Sequence, residues 1–173
     1  MHHVSPVVAM LRTSLPWISF QSRLLIEWLV LTGGRIGSCC GVAQELGFQT
    51  RFALTRALRK ERLPSLPRLS AWIRVLIWTW SWEHDHQSLG PTAINNGDDP
   101  AACYRLIRRM TNKNWSTVRD LGTHWVLGSM LQDCTHKKER RGFPRRPDAS
   151  GQRPYAHLGS PSLLAGASCV DPT

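Results

Sequence analysis

Two short segments of the chain carry side chains of the kinds that bind duplex DNA. Arginine can donate paired hydrogen bonds to a guanine edge, and arginine, threonine, glutamine and tyrosine can all bind phosphate oxygens. The candidate contact residues are Gln49, Arg51, Thr55, Arg56 and Arg59 in the first segment and Ala101, Tyr104, Arg105 and Arg108 in the second. Their chemistry predicts contacts to base edges and to the phosphate backbone.

The same arginines have an ordinary alternative explanation. Arg51, Arg56 and Arg59 are also expected on a solvated helix face, where charged residues usually lie. The position of the two segments favours contact with DNA, because each segment follows a copy of the same short pattern.

That pattern is an alanine followed four residues later by a glycine, at 43–47 (AQELG) and again at 93–97 (AINNG). In a helix-turn-helix unit two helices cross so closely that a small side chain is needed at the crossing. The first helix then ends in a sharp turn, which favours glycine because glycine reaches positive φ without steric cost. The two copies predict two helix-turn-helix units, each with a second helix that can enter the major groove.

Turn signals and apolar periodicity divide the chain into helices. The predicted helices span residues 22–31, 38–46, 50–62, 68–86, 88–96, 100–111 and 116–134. The expected N-caps include Ser22, Thr50, Asp98 or Asp99, and Ser116. The expected fold is all-α, with two helix-turn-helix units joined by the long central helix.

Composition divides the 173 residues into three parts. Residues 1–21 contain two prolines and no sustained periodicity, and we expect them to be a disordered leader. Residues 22–134 hold the helical segments. Residues 135–173 are basic and rich in proline and glycine, so we expect a disordered tail that tracks DNA phosphates.

The overall charge and the apolar runs restrict the partners further. The chain has 22 lysines and arginines against 12 acidic residues, a net charge of +10, which favours a polyanionic partner. The apolar runs at 24–31 and 72–82 are shorter than a membrane span, and the start of the chain shows no convincing secretion signal. We therefore expect a cytoplasmic protein without a membrane partner, and its five cysteines are expected to be reduced.

On these residues the chain resembles the DNA-binding domain of the AraC/XylS transcription regulators. The resemblance covers about residues 22–134 and depends on the order of helices, on the stretch 42–48 followed by Arg56, and on the partial second copy. It implies a fold of seven helices with two helix-turn-helix units. The matching residues are Ala43, Gly47, Phe48, Leu54, Arg56 and Leu58 in the first unit and Ala93, Gly97, Arg105, Ile107, Arg108 and Arg119 in the second.

The second copy departs from the family pattern. Asp98 stands where an aromatic residue is expected after the glycine, and one residue is missing before the second helix of the unit. The second unit is therefore expected to dock on DNA less deeply than the first. The resemblance also implies an effector-binding domain that the sequence lacks, so we expect no ligand control within this chain.

Other kinds of site lack the spacing that they need. His84 and His86 form no CxxC or HxxxH pair with the cysteines, so no metal site is predicted. The segment 33–37 (GGRIG) lacks the lysine of a phosphate-binding loop. No catalytic constellation can be singled out, and we expect neither enzyme activity nor a cofactor.

The eight tryptophans permit a further alternative, a stacking platform for single-stranded nucleic acid. Trp28, Trp72 and Trp125 lie among aliphatic residues at helical spacing, so core packing explains them better. Trp78, Trp80 and Trp82 alternate around the central helix, and at least one of them is expected to be exposed or to contact a partner.

The sequence therefore predicts a sequence-specific DNA-binding transcription regulator. Double-stranded DNA is its expected main partner, and RNA polymerase or another regulator is a second partner that this hypothesis allows. The alternative hypothesis is a non-enzymatic protein-interaction module, such as an anti-activator, on the same helical fold. Duplex binding at physiological salt distinguishes the two.

Overall fold

The computed structural model describes residues 4–135, and these residues form eight α-helices and no strand. The helices are α1 (Val4–Ser14), α2 (Phe20–Leu31), α3 (Cys39–Glu45), α4 (Arg51–Lys60), α5 (Leu66–Asp85), α6 (Leu89–Asn95), α7 (Pro100–Thr111) and α8 (Trp115–Thr135). The prediction of an all-α fold is confirmed for this part of the chain. The expected basic tail lies outside the described residues, apart from its first residue.

Helix α1 contradicts the expectation of a disordered leader. Val7, Leu11 and Leu15 recur every four residues and are buried, and α1 packs against α2 and α5. Pro6 lies in the first helical turn, where the missing N–H breaks no hydrogen bond. The two prolines suggested irregular structure, but Pro6 opens the helix and Pro16 follows its end.

The structure confirms the predicted caps of α4 and α7, and it shows a further cap, Ser38, at the start of α3. Ser38 Oγ accepts a hydrogen bond from the Gly41 N–H at 2.9 Å, and Thr50 Oγ1 accepts one from the Ala53 N–H at 3.1 Å. The Asp99 carboxylate accepts two such bonds at the start of α7, at 2.9 and 3.1 Å. Each cap satisfies backbone donors that have no partner within the helix.

Two predicted caps are wrong, and in both cases an earlier residue caps the helix. Ser22 is buried inside α2, and Ser19 caps that helix by accepting the Ser22 N–H at 3.4 Å. At α8, Asn114 rather than Ser116 accepts the Thr117 N–H, at 2.9 Å. Residues that can cap precede both helices, so composition alone could not select one of them.

The core forms around α5, which packs against α1, α2, α7 and α8. Its buried side chains lie on most of its circumference, from Leu66 to Ser81. The buried Thr79 hydroxyl donates to the Val75 carbonyl at 2.6 Å, so its polarity costs little. Trp72 Nε1 donates to Asp133 of α8 at 3.0 Å, and Arg68 also binds this carboxylate.

The length and polarity of a helix decide whether it could cross a membrane. Within residues 4–135, no helix is both long enough and apolar enough to cross a bilayer. The polar groups of α5, including Arg74 and Glu83, interrupt its apolar side chains.

Helix α8 is broken at Gly122. This residue has φ 82° and ψ 176°, a conformation that favours glycine. The break frees the N–H of Thr123, and Glu83 Oε1 of α5 accepts that N–H at 2.7 Å. The Glu83 carboxylate therefore caps the second half of α8 and joins it to the end of α5.

We predict that Gly122→Ala lowers the free energy of unfolding by about 2–4 kcal/mol. The φ and ψ of this residue lie in a region that essentially only glycine occupies, so the new side chain costs about 1–3 kcal/mol, and loss of a cap costs about 1 kcal/mol. The new Cβ would stand 2.3 Å from Glu83 Oε1 and displace the capping carboxylate. Chemical denaturation measures the difference.

The matched control is Gly128→Ala in the same helix. A Cβ at Gly128 meets no atom within 4 Å, and its φ is not positive. Because alanine is the better helix former, this variant should gain about 0.5–1 kcal/mol. Equal changes in the two variants would contradict the capping role of Glu83.

Candidate nucleic-acid interface

The turn between α3 and α4 contains the first alanine-glycine pattern. Ala43 is 1% exposed, and Gly47 has φ 73°. The Gly47 N–H donates to the Gln44 carbonyl at 3.0 Å, and the Phe48 N–H donates to the Ala43 carbonyl at 2.8 Å. This pair of bonds is a Schellman motif, which ends a helix through one residue of positive φ.

The turn between α6 and α7 has the same backbone arrangement. Ala93 is fully buried, and Gly97 has φ 71°. The Gly97 N–H donates to the Ile94 carbonyl at 2.9 Å, and the Asp98 N–H donates to the Ala93 carbonyl at 2.8 Å. The two copies of the pattern therefore end their helices in the same way.

The helices that follow the two turns also correspond, once the missing residue is taken into account. Thr50 caps α4 and Asp99 caps α7, although Thr50 lies three residues after its glycine and Asp99 only two. The buried positions match in turn, with Leu54 and Leu58 in α4 and Cys103 and Ile107 in α7. The missing residue therefore belongs to the turn and not to the helix.

The outward faces of α4 and α7 have the same spacing. In α4 the face consists of Phe52, Thr55, Arg56 and Arg59, and in α7 it consists of Ala101, Tyr104, Arg105 and Arg108. All eight side chains are exposed, and the spacing of three, four and seven residues places each set on one side of its helix.

All nine predicted contact residues are exposed, so none of their side chains is buried in the core. Among residues 4–135, no salt bridge involves Arg56, Arg59 or Arg108. The Arg105 guanidinium lies 3.3 Å from the carboxylate of Asp99, which caps α7. Thr55 donates its hydroxyl proton to the Arg51 carbonyl at 2.9 Å, which leaves its oxygen able to accept.

The charged side chains of α4 and α7 are all positive. Neither α4 nor α7 contains an acidic residue, and each carries arginine or lysine in its last turn, where a cation interacts favourably with the helix dipole. The two faces are therefore locally positive, as a phosphate-binding surface requires.

Phe52 is a surface residue that the sequence analysis missed. Its side chain is 64% exposed beside Thr55 and Arg56, and the Arg51 guanidinium lies 4.8 Å from its ring centroid. An apolar residue at a helix start is ordinarily assigned to the core. Its spacing from Arg56 and Arg59 was the available signal, because that spacing places it on the face opposite Leu54 and Leu58.

No protein-family model, curated protein or solved structure matches this chain. The resemblance to AraC/XylS regulators stays an expectation drawn from the sequence. The geometry and charge of the two turn-helix segments are therefore the features that bear on function.

The second turn differs from the first in how it is attached to the rest of the fold. Phe48 packs against the hydrophobic core after the first glycine. Asp98, at the corresponding place in the second turn, accepts hydrogen bonds from Arg74 at 2.9 Å and from Arg35 at 3.2 Å. Arg35 also donates to the Asn96 carbonyl. We call Arg35, Arg74 and Asp98 the ionic clasp.

The clasp is held in place by neighbouring side chains. Arg74 lies over the Trp78 ring at 5.0 Å, and Ser70 donates to the Gly34 carbonyl at 2.6 Å. A Cβ at Gly34 would stand 2.4 Å from Arg74 Cγ and 2.9 Å from the Ser70 carbonyl oxygen. Glycine is therefore needed for the loop after α2 to approach α5 this closely.

Cys103 lies next to the clasp and occupies the packing position that Leu54 holds in α4. Burial raises the pKa of the Cys103 thiol, and the nearby Arg74 opposes this shift without reversing it. The residue is therefore a neutral thiol at neutral pH and serves as a small apolar side chain. Cys39, Cys40 and Cys103 are free thiols.

The histidines and tryptophans that could suggest a metal site or a stacking platform make contacts within the fold. His84 stacks on Trp80 with ring centroids 3.7 Å apart, and no group of three His, Cys, Asp or Glu residues within 4–135 could hold a metal ion. Trp72 and Trp78 are buried, and the half-buried Trp82 lies under Arg119 at 4.8 Å.

We predict that Asp98→Asn lowers the free energy of unfolding by about 1–2 kcal/mol, because it leaves two arginines without a counter-charge and Arg74 is only 23% exposed. Thermal or urea unfolding measures the loss, which should shrink in high salt. Asp120→Asn is the matched control, since Asp120 is 66% exposed and its one salt bridge within residues 4–135 is to its sequence neighbour Arg119. That variant should change stability by less than about 0.5 kcal/mol. A similar loss in both variants would show that the clasp contributes little.

Proposed function

We propose that this chain is a sequence-specific DNA-binding transcription regulator. In this proposal α3–α4 and α6–α7 are two helix-turn-helix units, and α5 is the linker between them. The observation that carries it is the repetition of one exposed basic face on α4 and α7, each after the same glycine turn. A single basic helix would be ordinary, but two helices with the same turn, cap and face are typical of a duplicated reading unit.

Affinity for DNA would come from the lysines and arginines of these faces. Arg59 and Lys60 end α4, and Arg108 and Arg109 lie in the last turn of α7. Such groups neutralise phosphates and release counterions, so binding should weaken steeply as salt rises. These contacts carry no sequence information.

Specificity would come from the first two turns of each helix. The N-terminal part of a recognition helix reaches base edges, and arginine can bind guanine with two hydrogen bonds. Arg51, Thr55 and Arg56 have this position in α4, with Gln49 in the preceding turn. Tyr104 and Arg105 have it in α7, with Ala101.

The length of α5 would allow α4 and α7 to contact bases on one side of a duplex. Its 20 residues span about 30 Å at 1.5 Å per residue. One turn of B-DNA spans about 34 Å, so the two helices could enter successive major grooves.

A second candidate function is supported by an apolar surface elsewhere. Phe20, Leu24 and Leu31 are exposed at spacings that place them on one side of α2. Contiguous exposed apolar residues often mark a protein contact. This surface favours a protein-interaction module, or a regulator that also contacts RNA polymerase or another regulator.

Selection from a random duplex pool at physiological salt tests the proposal. We expect an enriched sequence with two half-sites about 10–10.5 base pairs apart, because the two helices would lie on one face of the duplex. The half-sites need not be palindromic, since the two units differ in sequence within one chain. Failure to retain any duplex would favour the interaction module, and equal retention of all duplexes would contradict sequence specificity.

Two substitutions test whether both helices read bases. Arg51→Ala should relax preference within one half-site and Arg105→Ala within the other, each at a cost of about 1–3 kcal/mol if the arginine binds a guanine. Binding to a panel of single-base variants of the selected site measures both effects. We expect the smaller effect from Arg105, because its turn is shorter and Asp99 partly neutralises it.

Arg23→Ala is the matched control, since Arg23 is an exposed arginine on α2 that donates to the Pro16 carbonyl at 3.1 Å. It removes the same charge but should leave base preference unchanged. If Arg105→Ala weakened binding to every sequence alike, α7 would be a phosphate clamp and only α4 would read bases.

A further inference from the structure

Phe52 is a large apolar side chain exposed in the centre of a basic surface. It is the second residue of α4 and is 64% exposed, whereas the neighbouring Phe48 packs against the core. Leaving a phenylalanine ring in water forgoes much of the free energy that its burial would contribute. Most of this side chain is open to solvent, and the Arg51 guanidinium lies over its ring.

The contact with Arg51 gives the pair a defined chemistry. The guanidinium lies 4.8 Å from the ring centroid, which restricts both side chains at the start of α4. The pair therefore combines one planar hydrogen-bond donor with one apolar surface. Thr55 and Arg56 continue the same face one turn later.

Only one group in the major groove matches an exposed apolar ring. The bases present hydrogen-bond donors and acceptors there, and the C5-methyl group of thymine is the single apolar feature. We propose that Phe52 is a specificity-determining residue that contacts a thymine methyl group in the half-site of α4. This inference rests on the proposed DNA binding and adds a base preference to it.

The two half-sites should differ in this respect. Ala101 occupies the position of Phe52 on α7, and its side chain is too short to cover a methyl group in the same way. The thymine contact therefore belongs to the α4 half-site. Because Arg51 is held against the ring, the thymine should adjoin the base pair at which Arg51→Ala relaxes preference.

Uracil substitution in the selected duplex tests the inference. Replacing thymine by uracil removes only the methyl group and leaves base pairing intact. We expect one or two positions of the α4 half-site at which uracil weakens binding of the unmodified chain about fourfold, the value for one buried methyl group. Phe52→Ala should bind the thymine and uracil duplexes equally at those positions.

Two further variants make the result specific. Phe52→Leu keeps an apolar side chain and should retain part of the uracil effect. Phe20→Ala removes another exposed phenylalanine, 73% exposed on α2, and should retain all of it. Because Phe52 is at the surface, its variants should melt at the temperature of the unmodified chain, which a thermal scan verifies.

The possible failures can be told apart. Selective binding without uracil sensitivity in the α4 half-site would overturn the reading of Phe52 and leave the proposed function intact. Uracil sensitivity that persists in Phe52→Ala would assign the methyl contact to another residue. Absence of selective duplex binding would overturn the proposed function, and this inference with it.

Discussion

The burial of α5 is the constraint on which the other helices depend. A twenty-residue helix with buried side chains on most of its circumference is stable in water only when other helices cover it. Helices α1, α2, α7 and α8 do so, while α3 packs mainly against α4 and α6 against α7. The short helices can therefore keep one face free, because the core does not need it.

The features predicted correctly from the sequence are those with local causes. The turns at Gly47 and Gly97, and the caps Thr50 and Asp99, depend on a few neighbouring residues and could be recognised without the fold. The outward face of α4 followed from the positions of Leu54 and Leu58. Local rules sufficed because the hydrogen bonds that form these turns and caps join residues close together in the sequence.

The features that were missed depend on distant partners. Three buried apolar residues stabilise helix α1, which packs against α2 and α5. Their helical spacing covers only two turns, so the two prolines, which usually indicate irregular structure, outweighed it in the sequence. The break at Gly122 requires Glu83 of another helix to receive the freed N–H. The ionic clasp joins Asp98 to Arg35 and Arg74, residues far away in sequence, so only the loss of an aromatic at 98 was visible.

The different lengths of the two glycine turns have a geometric consequence. In the second copy the residue is lost between the glycine and the N-cap, so the cap, the buried positions and the exposed positions of α7 all move together. The helix keeps the same side chains outward, and the connection that orients it is one residue shorter. Orientation and side-chain content are thus independent variables in this architecture. A length change in the turn re-aims a surface as a rigid block, whereas a substitution on the helix alters its chemistry without moving it.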